Sequence, residues 1–229
     1  MMSKEIIREV ETEYTSGTRW VHWLRFVSII ALSVTGFYIA YVFVSPEISN
    51  EPVLFLQAKM RMWHEIFGFL LIAVTLIKIY LFFFDRSRVQ KLEIVSFKDV
   101  LSLKVWIAQI KYYLFLGEHP KLHGVYNPLQ FATYAFFYIV LVLLCLTGLI
   151  LYVHVYHEGL GGLLYPIMRP FEALFGGLAN VRIIHHIGMW VIFLFVPVHV
   201  YMVIFNSIKG KEGALDAVVS GLKFKHKKH

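Results

Sequence analysis

Residues 182–200 read RIIHHIGMWVIFLFVPVHV, and this stretch decides the fold. It is apolar over nearly the length that crosses a bilayer, because a helix needs about 20 such residues to span a ~30 Å hydrocarbon core. It also contains three histidines, His185, His186 and His199. Ionisable residues inside apolar helices are costly to bury, and they are therefore functional candidates. The stretch predicts a membrane helix that bears a functional site.

Three further runs have the same character, so that membrane helices are predicted at about residues 20–44, 63–84, 129–155 and 183–205. The composition agrees, since 58% of the 229 residues are hydrophobic, only 16% are charged and the mean hydropathy is +0.64. Soluble domains contain about a quarter charged residues. We therefore expect an all-α fold, an integral membrane four-helix bundle that forms a single membrane domain over residues 1–229.

The formal net charge of +7 comes from basic residues that flank the apolar runs. This pattern is typical of cytoplasmic membrane loops and does not favour nucleic-acid binding. Lysine and arginine concentrate in both terminal segments and in the connection at about residues 85–128. The N and C termini and this long loop are therefore predicted to be cytoplasmic. Within the loop, residues 97–116 (FKDVLSLKVWIAQIKYYLFL) have apolar residues at helical spacing, which predicts an amphipathic interfacial helix or a segment packed on the bundle.

Four histidines are candidate metal ligands: His22, His64, His185 and His199. His185 and His199 are fourteen positions apart, about 40° short of four full turns and about 21 Å along a helix, so both face one side. His186 points to roughly the opposite face and is not selected. With both termini in the cytoplasm, His22 at the start of the first helix and His199 near the end of the fourth lie close to the cytoplasmic surface, and they are predicted to form one pair. The same topology pairs His64 with His185 near the outer surface.

Two histidine pairs at two depths predict two haem b groups, since neutral imidazole is a good ligand for iron. The single cysteine, Cys145, leaves no CxxCH motif for covalent haem attachment, so the haems are expected to be non-covalent. The alternative is a haem-free membrane anchor or a transporter with a histidine proton relay. Haem propionates need cationic partners, and the candidates are Arg19, Arg25, Arg61 and Arg182, although interfacial snorkelling also explains such arginines.

A short pattern is shared by the first and third predicted helices. Thr35-Gly36 in the first resembles Thr147-Gly148 in the third. Small residues allow helix backbones to approach closely in lipid, and close packing explains these glycines without an internal duplication.

Three motifs resemble the cytochrome b subunits of membrane-bound nickel–iron (NiFe) uptake hydrogenases. The first is RWVHWL at residues 19–24, continuing to Thr35-Gly36, and the second is HHIGMW at 185–190 with HVYM at 199–202. The third is YYLFL at 112–116, followed by Asn127-Pro128. The resemblance covers nearly the whole chain. Cytochromes of formate dehydrogenase or thiosulfate reductase share the plan and are the alternative, but the GMW and HVYM surroundings favour hydrogenase.

The resemblance implies a multi-pass subunit of the bacterial cytoplasmic (inner) membrane. It would anchor the periplasmic small and large hydrogenase subunits and pass electrons from the outer haem to the inner haem and then to menaquinone or ubiquinone. Hydrogen activation would belong to the partner subunits, and this chain would have no hydrogen-activating site of its own. The quinone-binding candidates are His123, Tyr126, Asn127 and Gln130, near the start of the third helix. Asn127-Pro128 can also be explained as a helix cap.

Overall fold

Four long helices dominate the computed structural model, which describes residues 8–41, 55–84, 95–114, 116–117, 120–124, 126–209 and 214–226. They are α1 (Ser16–Ala40), α2 (Leu56–Phe84), α4 (Pro128–Val153) and α6 (Leu178–Lys209). All four are long and apolar enough to cross a membrane, α6 through its segment Leu178–Ile204. The four predicted membrane helices are confirmed as helices of spanning length.

The surfaces of these helices suit a lipid environment. Large apolar side chains are exposed on each of them, including Val34, Leu76, Ile139 and Leu194. Soluble monomers rarely expose continuous apolar surface on this scale. The chain is therefore a multi-pass membrane protein.

The helix ends differ from the prediction by four to seven residues at several places. Helix α1 begins four residues early, at Ser16, and it extends to Ala40, while the predicted residues 42–44 lie outside the described ranges. Helix α2 begins at Leu56, although its first turns contain Lys59 and Arg61. Hydropathy marks only the apolar part of a helix, whereas polar turns continue it into the interface. At α6, the boundary is set by Gly176 and Gly177, whose φ angles of 79° and 98° end the preceding helix.

The connections contain shorter helices. Helix α3 (Leu103–Tyr113) lies in the long loop, where an amphipathic helix was predicted, and residues 95–100 are also helical. Helix α5 (Gly159–Leu174) occupies the connection rich in glycine and proline, and it includes Pro166 and Pro170. The position of α3 at the membrane interface remains a prediction.

A two-stranded antiparallel sheet joins the two ends of the chain. Strand β1 (Arg8–Thr12) pairs with β2 (Leu222–His226), with Arg8 opposite His226 and Thr12 opposite Leu222. The helix α7 (Ala214–Ser220) precedes β2. This small sheet was not predicted, and it contains the only strands in the described ranges. It places residues 8–12 and 222–226 side by side, so these two segments lie on the same side of any membrane that the helices cross.

Two compact units emerge from the packing, and each contains parts of the long helices. The first unit comprises residues 1–20, 79–139 and 195–229, and the second comprises residues 21–78 and 140–194. The second unit has a core of Ile150, Val153, Met168 and Val181, in which α4, α5 and α6 meet.

Candidate functional site

A pair of facing histidines lies in the second unit. His64 on α2 and His185 on α6 are both half-buried, with ring centroids 6.4 Å apart and ring planes at 68°. Two imidazoles on opposite sides of one metal ion, with metal–nitrogen bonds of about 2 Å, place their centroids about 6 Å apart. The spacing therefore fits one iron atom between the rings. The neighbouring His186 is exposed.

The donor set suits haem better than a bare metal ion. Among the described residues, no group of three or more histidine, cysteine or acidic side chains could hold a metal ion. Two imidazoles leave four equatorial positions around an octahedral iron, and these are the positions that a porphyrin fills. The pair formed by His64 and His185 thus fits the axial ligands of a haem.

Each of these histidines is hydrogen-bonded to a threonine on another helix. The Thr35 hydroxyl lies 2.9 Å from His64 Nδ1, and the Thr147 hydroxyl lies 2.9 Å from His185 Nδ1. Both contacts occupy Nδ1 and leave Nε2 as the nitrogen available to a metal. The repeated Thr-Gly pattern was the only sequence signal for these threonines, which were not among the predicted site residues.

The glycine after each threonine gives the imidazole room. A Cβ atom at Gly36 would stand 3.1 Å from His64 Cε1, which is tighter than ordinary contact. A Cβ atom at Gly148 would stand 3.5 Å from His185 Cε1, which is an ordinary contact distance. The close approach is therefore more demanding at Gly36.

The other two histidines belong to different compact units. His22 is half-buried on α1 in the second unit, with its ring edge-on to Trp23 at 5.5 Å. His199 is half-buried on α6 in the first unit, where Phe195 stacks on it at 5.6 Å and 12°. The pairing of His22 with His199 remains a prediction from helical spacing.

A cavity of about 190 Å³ in the first unit is lined by the His199 side chain. Its walls are mainly apolar, with polar groups from Tyr113, Gln130, Thr133 and Tyr134. Of the predicted quinone-binding residues, only Gln130 lines this cavity, while Tyr113 was not among the candidates. An apolar cavity with a few polar groups is the usual form of a site for a small organic ligand.

Asn127 and Gln130 cap the start of α4. The Gln130 backbone N–H donates to Asn127 Oδ1 at 2.8 Å, and the Asn127 backbone N–H donates to Gln130 Oε1 at 3.2 Å. This reciprocal pair is a capping box, with Pro128 at the first helical position. The remaining amide group, Asn127 Nδ2, donates to the Tyr113 hydroxyl at 3.1 Å. Asn127 is therefore both a helix cap and a contact of a cavity residue.

His123 is paired with a buried carboxylate in the same unit. Asp99 accepts hydrogen bonds from His123 Nδ1 at 2.7 Å and from the backbone N–H groups of His123 and Gly124 at 2.9 and 3.1 Å. Burial opposes the charge, yet the His123 side chain and the two backbone bonds together lower the pKa of Asp99. The His123 side chain is itself 72% exposed. The pair thus places an exposed imidazole beside a buried carboxylate.

Tyr126 is held by its backbone and by its ring. Its backbone N–H donates to Ser96 Oγ at 3.1 Å, and its ring meets the ring of Tyr134 edge-on at 5.2 Å. Since Tyr134 lines the cavity, Tyr126 lies behind the cavity wall.

The four arginines predicted near haem propionates have different environments. Arg19 donates from Nη1 to the Val219 carbonyl at 2.7 Å and from Nη2 to Ser16 Oγ at 3.2 Å. Arg25 is buried on α1, whereas Arg61 and Arg182 are exposed. The guanidinium of Arg19 therefore stabilises the chain ends, and Arg25 is the arginine buried within a span.

Four helices of membrane-spanning length, with two histidines at a spacing that fits a haem iron, are the features of the class of multi-pass membrane cytochromes. The chain belongs to the prokaryotic cytochrome b561 family, whose family model matches residues 13–221. Membership implies a b-type haem.

Relatives in several bacteria extend over most of the chain. It is 31% identical over 215 residues to a protein of Azotobacter vinelandii, covering 91% of this chain and 86% of that protein. It is 28% identical over 222 residues to a protein of Rhizobium leguminosarum bv. viciae, covering 95% and 90%. Both are named "Probable Ni/Fe-hydrogenase B-type cytochrome subunit". A protein of Escherichia coli (strain K12), named as the hydrogenase 1 subunit of this type, is 28% identical, covering 91% and 88%. The family resemblance predicted from the motifs is confirmed.

Proposed function

We propose that this chain is the dihaem cytochrome b subunit of a nickel–iron hydrogenase in the bacterial inner membrane. It anchors the small and large hydrogenase subunits on the periplasmic side and delivers electrons from hydrogen oxidation to menaquinone or ubiquinone. The observation that carries the proposal is the pair of imidazoles, His64 and His185, at the spacing of axial haem ligands. The names of the relatives support the hydrogenase assignment.

When bound, haem b supplies one-electron redox chemistry at iron. At the outer site, His64 and His185 present Nε2 to the iron, because their Nδ1 atoms are hydrogen-bonded to threonines. At the inner site, His22 and His199 would provide the ligands, and the buried Arg25 on α1 is a candidate partner for a propionate. A haem held by two histidines would suit electron transfer rather than oxygen binding.

The orientation follows from the distribution of charge. The termini and the loop at residues 85–128 contain most of the lysine and arginine, so these segments lie in the cytoplasm. The strand pairing of β1 with β2 supports a shared side for both ends. His64 and His185 then lie toward the periplasm, where the catalytic subunits dock, and His199 lies toward the cytoplasm.

The quinone site is proposed at the cavity of the first unit. Tyr113 and Gln130 line it and can hydrogen-bond a quinone carbonyl, and Asn127 orients the Tyr113 hydroxyl. Quinone reduction consumes protons, and the exposed His123, paired with Asp99, can take them up from the cytoplasm. Lipid surrounds the spans, and nucleic acid has no part in this function.

A haem measurement on the purified chain tests the proposal most directly. A pyridine haemochrome assay should give two haem b per chain, and dithionite should produce a reduced b-type band. A chain without that band would be a haem-free anchor or a histidine-relay transporter. Affinity purification from the native membrane should recover a large and a small hydrogenase subunit. Recovery of a molybdenum enzyme instead would indicate formate dehydrogenase or thiosulfate reductase.

A further inference from the structure

The Thr-Gly dipeptide occurs twice beside the pair of outer histidines, in equivalent positions. Thr35 on α1 and Thr147 on α4 are both buried, and their hydroxyl oxygens make the same 2.9 Å contact with Nδ1 of His64 and of His185. Gly36 and Gly148 follow them and stand next to Cε1 of the same rings. One dipeptide thus supplies both a hydrogen-bonding group and space to each imidazole.

The other partners of the two hydroxyl groups determine which atom is the donor in these hydrogen bonds. Thr35 Oγ1 lies 2.7 Å from the Ala31 carbonyl, and Thr147 Oγ1 lies 2.8 Å from the Leu143 carbonyl, four residues back in each helix. A carbonyl oxygen can only accept, so each hydroxyl donates its single proton to its own helix. Toward the histidine, the hydroxyl oxygen must then accept.

The tautomer of both imidazoles follows from this direction. Nδ1 carries the proton and donates it to the threonine oxygen, and Nε2 keeps its lone pair. The two imidazoles are therefore set for metal binding through Nε2 by matching groups on α1 and α4.

We propose that Thr35 and Thr147 are positioning residues that fix the tautomer and ring orientation of His64 and His185 and so set the redox potential of the outer haem. The inference rests on the proposed haem ligation. A metal-bound imidazole whose N–H is hydrogen-bonded is a more basic ligand. A more basic ligand stabilises ferric over ferrous iron, so the two threonines lower the potential of the outer haem.

The test uses the full-length cytochrome, purified with its haems and titrated by optical redox potentiometry. The outer haem is identified as the component that His64→Ala removes. Thr35→Val and Thr147→Val delete the hydroxyl at nearly constant shape, and Thr35→Ser and Thr147→Ser retain it. Thr75→Val is the matched control, because Thr75 is buried on α2 and also donates to the carbonyl four residues back, that of Leu71.

Each Thr→Val variant should shift the outer haem to a more positive potential and leave the inner haem unchanged, and the double variant should shift it further. The Thr→Ser variants and Thr75→Val should match the wild type. Unshifted potentials in both Thr→Val variants would overturn the inference. If the serine variants or Thr75→Val shifted the potential as much as the Thr→Val variants do, the hydroxyl groups would not be the cause, and Thr35 and Thr147 would act by packing alone. Loss of both haems together would lead to the same conclusion. A wild-type chain without haem would instead defeat the proposed function.

Discussion

His64 and His185 lie on different helices, α2 and α6, and hold their ring centroids 6.4 Å apart. That distance suits one metal atom bound by both imidazoles, with metal–nitrogen bonds of about 2 Å. Since each ring also has its own threonine partner, the pair is oriented before anything binds between its members. Binding a haem there costs little rearrangement of these side chains.

Removing either ring should abolish the outer haem selectively. His64→Ala and His185→Ala should lower the haem content from two to one per chain in a pyridine haemochrome assay. His186→Ala is the matched control, because His186 is the adjacent residue on α6 and is exposed. It should retain both haems. Loss of haem from His186→Ala with retention in His185→Ala would reverse the assignment of the ligand.

Alanine substitutions at three helical glycines test whether the imidazoles need the space that glycine leaves beside them. Gly36→Ala should weaken retention of the outer haem, because its Cβ atom would stand 3.1 Å from His64 Cε1. Gly148→Ala should have a smaller effect at 3.5 Å from His185 Cε1, and Gly68→Ala should have none, since nothing lies within 4 Å of its Cβ position. Haem remaining after repeated detergent washing is the measurement. Equal retention in all three variants would show that the ring of His64 moves freely.

Two substitutions at Asn127 separate its two roles. Asn127→Asp keeps an oxygen that caps α4 but removes the Nδ2 donor to Tyr113, whereas Asn127→Ala removes both and should cost about 1 kcal/mol of stability. If Asn127 orients Tyr113 for quinone, both variants should lower hydrogen-dependent quinone reduction with intact haem content, and Tyr113→Phe should do the same. A defect confined to Asn127→Ala would mean that only the cap matters.

The Asp99 carboxylate should make the loop sensitive to acid. The folded chain lowers the pKa of Asp99, so the ionised carboxylate stabilises the fold fully above the pKa of an unfolded aspartate, about 4. This stabilisation is lost as the pH falls through the lower pKa that Asp99 has in the folded chain. Hydrogen exchange, corrected for intrinsic rates, should show protected amides at His123 and Gly124 at pH 7 and loss of protection below about pH 4. Asp99→Asn should be less protected already at pH 7. Equal protection of the variant at pH 7 would contradict this role of the carboxylate.

The packing of the same loop can be tested by adding a methyl group at Gly124. A Cβ atom there would overlap Ser96, lying 2.5 Å from its Cα atom and closer still to its Oγ atom. Gly124→Ala should therefore lower the melting temperature of the purified protein. Gly117→Ala is the control from the same loop, since its Cβ atom would make an ordinary 3.5 Å contact with Lys111. A similar melting temperature for the two variants would show that the loop adapts to the added methyl group.

The sequence predicted what depends on hydropathy and helical period. The four long helices follow from their apolar runs, and the spacing of His185 and His199 placed them on one face of α6. Contacts between helices depend on how each helix is rotated and offset against its neighbours, which one chain's periodicity does not determine. The bonds of Thr35 and Thr147 to the histidines could therefore not be derived, although the repeated Thr-Gly pattern marked the positions.

The strands β1 and β2 were missed for a different reason. Each has five residues, and their pairing joins segments from opposite ends of the chain. A segment such as Leu222–His226 reads as a basic tail until its partner is known. The capping box of Asn127 and Gln130, by contrast, is local and was foreseen as one explanation of the Asn-Pro motif.

The pairing of β1 with β2 also sets an order of events in biosynthesis. Strand β1 is made before the four long helices, and β2 is made after them. At 5–20 residues per second, roughly 10–40 s of translation separate them. Throughout that time the N-terminal segment has no strand partner, while the four helices enter the membrane one after another. The sheet can therefore close only after the last long helix has been made, and a chain that stops before Leu222 lacks its second strand.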